Sequence, residues 1–372
     1  MSRRQVAIVQ PYVPSYRRPL FESLQRSLDE RGIDLVVIAG TPDPVQQRRN
    51  DAIHLDFQRD VGTHHLNVRG RSLRWKKAAR HVRSADLVIC ELASGALETY
   101  VIWALRRGRL ALWGHGYAAT SAPSRIDTAL ESWLMRRSRR IFAYTERGRE
   151  AAVRAGVADD RITVLRNTVD TSELAALVES LTDAEVGAFA EAHDLVSPNV
   201  CVSIGGLDES KRLDVLIEAG RRIASDLPDF RLAVGGDGAL RDQIVAAADR
   251  HPWLVYLGRV GEREKALLAR CGQLLLNPGR VGLIAVESFV MGLPIVTIDW
   301  PNHAPEAAYL TPDRTAVFTD DDPAAFADEV VAVLRDRERL SQLRAACSEE
   351  ATSYSMDSLV QRFSDGIEFA LR

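Results

Sequence analysis

The residues best suited to chemistry stand where a β-rich run breaks into glycines and a charged helix start. The segment is Cys201-Val-Ser-Ile-Gly-Gly-Leu-Asp-Glu-Ser-Lys-Arg-Leu-Asp-Val-Leu-Ile-Glu-Ala219. Its pattern predicts a strand ending at Gly205 and Gly206, a short loop, and a helix from about Ser210. Leu213, Leu216, Ile217, Gly220 and Ile223 would form that helix's buried face. Lys211 and Arg212 then fall in the first turn, where the macrodipole disfavours cations unless an anion sits beside them. A phosphate at the helix start resolves the conflict. Lys211 is also one of only four lysines among 48 basic residues, the others being Lys76, Lys77 and Lys265. A solvated pair on a helix surface is the plainer alternative.

A second segment, residues 277–294, reads Asn-Pro-Gly-Arg-Val-Gly-Leu-Ile-Ala-Val-Glu-Ser-Phe-Val-Met-Gly-Leu-Pro. Gly282 is expected to open a short helix, Gly292 to close it, and Pro294 to prevent its continuation. Glu287 would share a helical face with Leu283, Ile284, Val290 and Met291. A carboxylate in that setting needs a hydrogen-bond donor, either ligand hydroxyls or a group of the protein itself. The amides of Gly282, Leu283 and Ile284 would form a second anion cradle.

His115 lies between two glycines after the strand at residues 110–113, where a loop could carry it to a ligand or leave it exposed. The surrounding Gly114-His-Gly-Tyr-Ala-Ala119 fits a dinucleotide-binding G-x-G-x-x-A. Pro123 interrupts the helix such a motif requires, and no acidic residue ends the next strand, which argues against a dehydrogenase.

Positioning these groups calls for two parallel sheets. Short apolar runs at residues 6–9, 35–39, 87–90, 110–113, 140–143 and 162–165, then at 200–204, 231–235, 254–257, 273–276 and 295–298, alternate with helical patterns. Nearly continuous apolar strands separated by helices imply sheets covered on both faces, and so two doubly wound α/β domains facing a cleft. The domain reading is residues 1–171, a polar helical linker at 172–197, a second domain at 198–353, and a terminal helix at 354–372.

Composition narrows the field further. The chain has 372 residues, 46% of them hydrophobic and 27% charged, with a net charge of −3. Residues 1–170 carry 29 Lys and Arg against 18 Asp and Glu, a net +11, leaving −14 for the remainder. No apolar run is long enough to cross a bilayer, and the first residues have the charge but not the apolar length of a leader peptide. Cys90, Cys201, Cys271 and Cys347 are far apart, which suggests reduced thiols in a cytoplasmic protein. The acidic run Asp320-Asp321-Asp322 before Pro323 reads as a helix cap rather than a metal site. Nucleic acid is a poor partner, because the basic half offers no recognition motif. An anionic membrane surface is a better one. Arg136, Arg137, Arg139 and Arg140, near Trp133, Leu134 and Met135, are the candidates for that peripheral contact.

The motifs, taken in order, resemble those of GT-B-fold glycosyltransferases of sequence family 4, which are retaining enzymes using nucleotide sugars. Residues 8–24 resemble the opening of a bacterial subgroup, and Trp113-Gly-His-Gly-Tyr117 the acceptor-domain His motif. Ala143-Tyr-Thr-Glu146 and Leu165-Arg-Asn-Thr-Val-Asp170 are similar to segments closing the first domain. Residues 205–219 resemble the diphosphate-binding loop, and Gly235-Gly-Asp-Gly238, Leu257-Gly-Arg259 and residues 278–294 follow in family order. Tyr354-Ser-Met-Asp357 resembles the start of the helix that crosses back to the first domain.

The resemblance implies transfer of a sugar, with retention, from a UDP- or GDP-linked donor to a glycan, a lipid-linked intermediate or a small-molecule glycoside. It implies no metal. Lys211 and the amides of residues 282–284 would neutralise the leaving diphosphate, Glu287 would hold the ribose, and His115 would place the sugar or acceptor. Tyr16 and Arg17, ahead of Pro19, fall where acceptor contacts arise. Two positions depart from the family. The usual Arg before the diphosphate Lys is Gly206, for which Arg212, Arg259 or Arg280 could substitute. The first Glu of the Glu-X7-Glu motif is Gly279, as in a subgroup with a Gly-X-Val-Gly-Leu form. These departures keep open a non-catalytic binding relative, or an epimerase or phosphorylase of the same fold.

Overall fold

A computed structural model describes residues 3–47, 51–68, 71–116 and 124–372. Tyr117, Ala119 and Pro123, cited above, lie outside the described residues. The chain divides into two compact units, residues 1–170 with 356–372, and residues 171–355.

The strands of the first unit are β1 (Arg4–Gln10), β2 (Ile33–Ala39), β3 (Gln58–Asp60), β4 (Thr63–Val68), β5 (Arg71–Lys76), β6 (Leu87–Glu91), β7 (Leu110–Gly114), β8 (Arg140–Ala143) and β9 (Ile162–Val164). Seven of them form one sheet in the order β3-β2-β1-β6-β7-β8-β9, parallel throughout. Alternate side chains serve opposite faces, as strand geometry demands. Val6 and Ile8 pack with Phe21 and Leu24 of the helix Arg18–Glu30 and with Phe363 and Ile367 of Met356–Leu371. Ala7 and Val9 pack on the other side with Ile102, Leu134 and Met135. Burial on both faces is why these strands read as unbroken apolar runs.

In the second unit β10 (Val200–Ile204), β11 (Arg231–Gly235), β12 (Leu254–Gly258), β13 (Leu274–Leu276), β14 (Ile295–Ile298) and β15 (Ala316–Thr319) form a parallel sheet in the order β12-β11-β10-β13-β14-β15. The expected pair of doubly wound α/β domains is present. Residues 172–197 differ from the expected linker. They form the helices Ser172–Ser180 and Asp183–Ala192, which pack on Glu262–Cys271 within the second unit. Leu174, Leu181, Ala190 and Leu195 supply an apolar stripe that the second core buries, so a stretch polar on average is structural on one side. Asp322 caps the helix Pro323–Arg335 through the Ala325 amide, as its position suggested. All four cysteines are free thiols, and no described helix is long and apolar enough to cross a membrane.

The antiparallel hairpin of β4 and β5 was not anticipated, because its polar, alternating sequence lacks the apolar signature of the main sheet. At its end Lys76 forms an ion pair with Glu98, in the first turn of the helix Leu97–Leu105; the side chains are 0% and 2% exposed. Removing one partner of such a pair strands a buried charge, which costs about 3–5 kcal/mol, whereas apolar replacement of both is near neutral. Glu98→Ala should therefore lower the urea midpoint steeply at constant slope, and Lys76→Met with Glu98→Leu should restore most of the loss; equal midpoints for parent and single variant would refute the argument.

Candidate functional site

The glycine-rich loop begins where β10 ends. Gly205 donates to the Gly235 carbonyl at 3.0 Å and Leu207 to that of Asp237 at 3.0 Å, so this loop lies against the one that follows β11. The approach depends on Gly236, at φ 157°, where a Cβ would stand 1.9 Å from the Gly205 oxygen. Asp208 then accepts from the Ser210 amide at 2.9 Å and caps a 3₁₀ turn, Glu209–Lys211.

Here the structure corrects the expected helix. The α-helix is Leu213–Asp226, and Arg212 precedes it in the left-handed region at φ 51°, so neither cation lies in the first α-helical turn. Such a conformation costs a non-glycine residue about 1–3 kcal/mol. The kink sends the two cations apart. Arg212 pairs with Asp321 at 2.6 Å, its guanidinium 6.0 Å from the Trp300 ring. Lys211 folds back over Gly205 and donates to the Arg280 carbonyl at 2.8 Å. Burial pushes its ammonium below the ordinary value, Arg280 adds to the effect, and Asp208 opposes it.

The loop carrying Gly279 and Arg280 meets this turn backbone to backbone. The Arg280 amide donates to the Ser210 carbonyl at 2.7 Å, and a Cβ on Gly279 would stand 2.2 Å from that carbonyl oxygen and 2.6 Å from the Lys211 Cα. The next amide, of Val281, donates to His303 Nδ1 at 3.1 Å, and His303 Nε2 lies 2.8 Å from the Ile298 carbonyl, an arrangement that suits the neutral ring with its proton on Nε2. The following helix is Ile284–Met291, two residues later than expected, with Leu283 at its N-cap and Gly292 closing it.

Glu287 is half-buried, and its donor is Lys265, whose ammonium lies 2.7 Å from Oε1 and 2.8 Å from Glu262. Burial alone would lower the Lys265 pKa, but Glu287 and Glu262 outweigh it and raise the value. Sequence reasoning missed Lys265. Its one signal was its rarity, the same property that drew attention to Lys211.

Gly205, Gly206, Lys211, Arg259, Gly282, Leu283, Ile284 and Glu287 line one pocket of about 490 Å³, together with Lys265 and Asp237. Arg212 and Arg280 do not line it. Arg259 is exposed and held to Asp237 at 2.8 Å, an arrangement worth little to stability and easily exchanged for a ligand anion. Pairing with Arg259 and the Gly238 amide holds the Asp237 carboxyl below its ordinary value.

The first unit gathers a separate polar cluster at the carboxyl ends of its strands. Arg17 donates to the Tyr144 hydroxyl at 2.7 Å and to Gln10 at 3.2 Å, with its guanidinium 4.7 Å from the Trp113 ring. His115 stacks obliquely on Tyr144, ring centres 4.4 Å apart, so His115 and Arg17 share one phenol. Burial lifts that phenol's pKa, which keeps it neutral. Tyr16 is 43% exposed beside Arg17. Tyr144 and Trp113 were visible only as motif members.

Two family models cover most of the chain: Glycosyltransferase Family 4 matches residues 20–173, and Glycosyl transferases group 1 matches residues 198–336. The chain has the GT-B fold, and each of its two halves matches one of these glycosyltransferase family models. A similar curated protein is glycogen synthase of Mycobacterium tuberculosis, 26% identical over 245 residues, covering 62% of this chain and 54% of the relative. The chain spans about half the length of the curated relatives it matches. Among solved structures, Anabaena Alr3699/HepE in complex with UDP aligns with a TM-score of 0.70 at 13% identity, covering 98% of this chain and 100% of that one. A glycosyltransferase from Rickettsia africae ESF-5 aligns at 0.71 and 12% identity, over the whole of both chains.

The position where the resemblance leads one to expect a first Glu, Gly279, is pressed against the Lys211 turn, with no room for a side chain. Gly279→Ala should cost about 1–3 kcal/mol by overpacking, read as a lowered urea midpoint; unchanged stability would show that the turn gives way. The His303 pKa is depressed below 6.5, first by burial and then by Lys211 and Arg280, against the Ile298 carbonyl and Asp299. The folded protein therefore binds this proton less readily than the unfolded chain. The stability it contributes is complete above about pH 6.5 and is lost as pH falls through the folded value. His303→Gln should flatten the decline in unfolding free energy between about pH 7 and pH 5 relative to the parent; parallel curves would contradict the assignment.

Proposed function

We propose that the protein transfers a sugar from a nucleotide-sugar donor to a glycan, lipid-linked or small-molecule glycoside acceptor, with retention of configuration and without a metal. The observation that carries this reading is the single pocket shared by Lys211, the 282–284 backbone and the Lys265–Glu287 pair. UDP and UDP-glucose complexes of the Anabaena neighbour support a uridine diphosphate donor.

The pocket's groups fit the parts of such a donor. As the glycosidic bond breaks, the bonding electrons leave with the diphosphate, whose charge must be met by groups already in place. Lys211 sits in a half-buried site where its charge is costly, and a diphosphate oxygen relieves that cost. The amides of Gly282, Leu283 and Ile284 share the load at the start of a helix. Glu287 has one oxygen on Lys265 and offers the other to ribose hydroxyls. Gly205 and Gly206 let backbone approach the phosphates, and Arg259 can exchange Asp237 for phosphate. Arg212, bound to Asp321, and Arg280, through its backbone, shape the turn that carries Lys211. In the first unit His115, Tyr16 and Arg17 are assigned to the transferred sugar or the acceptor.

Lys211→Ala should lower kcat by about two to three orders of magnitude in a fold shown intact by circular dichroism; full activity would remove the diphosphate role. Glu287→Ala and Lys265→Met should both raise the donor KM, the former more, with kcat less affected; an unchanged KM for both would make the pair purely structural. A thermal-shift screen across UDP, GDP, ADP and dTDP sugars identifies the nucleotide, since a bound donor raises apparent stability, and activity that survives chelator tests the metal-free reading.

A further inference from the structure

One helix of the first unit carries apolar residues on a second side besides the one it buries through Leu134 and Met135. In Arg125–Arg137 the acids turn inward: Asp127 accepts from the Ser94 hydroxyl at 2.6 Å and Glu131 from the Ser94 amide at 3.2 Å. Burial lifts the Glu131 carboxyl above its ordinary value. The apolar residues Ile126, Ala129, Leu130 and Trp133 instead line an open groove of about 520 Å³ with Tyr100 and Arg125, and Ile126 is 59% exposed. Trp133 packs edge-on against Trp103, ring centres 4.7 Å apart, and Leu105 is 66% exposed.

Arginines frame this apolar face. The Arg137 guanidinium lies 4.4 Å from the Trp133 ring centre and that of Arg107 5.4 Å from Trp103, while Arg125 lines the groove. Among the described residues none of these three meets a carboxylate. Their neighbours are engaged within the unit: Arg109 with Asp86, Arg136 with the Ala155 carbonyl, Arg139 with the Gly108 carbonyl, and Arg140 with Thr163. The contact expected from sequence is thereby corrected. Leu134, Met135 and Arg140 are buried; the groove is lined instead by Ile126, which is exposed, and by the partly buried Leu130 and Trp133.

We propose that this face seats on an anionic lipid bilayer surface. An in-plane helix with apolar residues on its outer side, tryptophans at headgroup depth and arginines reaching lipid phosphates matches the chemistry of that interface. Charge selects the partner. A second copy meeting this face about a two-fold axis would bring the same arginines together, whereas an anionic surface complements all three. The inference stands apart from the transfer reaction, because lipid binding is measured without donor or acceptor.

The test is flotation of the full chain with vesicles of phosphatidylcholine alone or mixed with phosphatidylglycerol, at low and high salt. Binding is expected only with the anionic vesicles, weakened by salt. Each of Arg107→Gln, Arg125→Gln and Arg137→Gln should reduce partitioning about fivefold at low salt, and all three together about 100-fold. Ile126→Glu with Leu130→Glu should abolish it while circular dichroism stays unchanged. Absence of binding at low salt would overturn the proposal, as would unaltered binding by the folded double variant. A concentration-dependent dimer dissolved by the same double variant, without vesicle binding, would assign the face to a second copy instead.

Discussion

Everything proposed for the second unit depends on two loops touching through their main chains. The turn at residues 209–212 and the strand-end loop at 278–282 approach so closely that only a residue without Cβ fits at position 279. Their contact is sealed by the Arg280 amide on the Ser210 carbonyl and by the Lys211 ammonium on the Arg280 carbonyl. His303 fixes the same loop from behind through Val281. Among the described residues Lys211 is therefore held by a backbone carbonyl rather than by a salt bridge, and its charge stays available. A salt bridge to a nearby acid would hold the side chain equally well but would have to be broken before an anion could bind.

That economy matters because residues 171–372 carry a net charge of −14. An acidic background repels a nucleotide diphosphate at long range, so binding must rest on short-range groups held in advance. The Lys265–Glu287 pair serves the same end differently. It lets a carboxylate sit half-buried at the pocket wall by giving it a cation, while leaving acceptor capacity toward the ligand.

The sequence made the sheets legible and the fine geometry only partly so. Residues 200–204, 231–235 and 295–298 read as strands to the residue, because burial on both faces leaves an unbroken apolar signature. The β4–β5 hairpin carries no such signature; its anchor, Lys76 with Glu98, joins residues 22 positions apart. At the site, the glycines, Lys211 and Glu287 could be singled out from residue type and spacing. The left-handed Arg212 could not, since nothing in an arginine announces that conformation, and the macrodipole argument built on an earlier helix start fell with it. Lys265 escaped because pairing across folded loops is not periodic. In a chain that uses arginine almost everywhere, Lys76, Lys211 and Lys265 are the lysines whose compact ammonium sits in confined surroundings, and Lys77 alone is exposed.

The helix Met356–Leu371 covers one face of the first sheet, contributing Phe363 and Ile367 to the same core as β1 and the helix Arg18–Glu30. During synthesis that core stays open until the ribosome has also delivered the 185 residues of the second unit, Thr171–Ser355. At about 5–20 residues per second, the incomplete sheet waits of the order of ten seconds or more with apolar surface uncovered. The contiguous second unit faces no such delay, so order of translation and order of completion are reversed. Loss of the sixteen residues of the helix Met356–Leu371 would therefore injure the domain that was translated first.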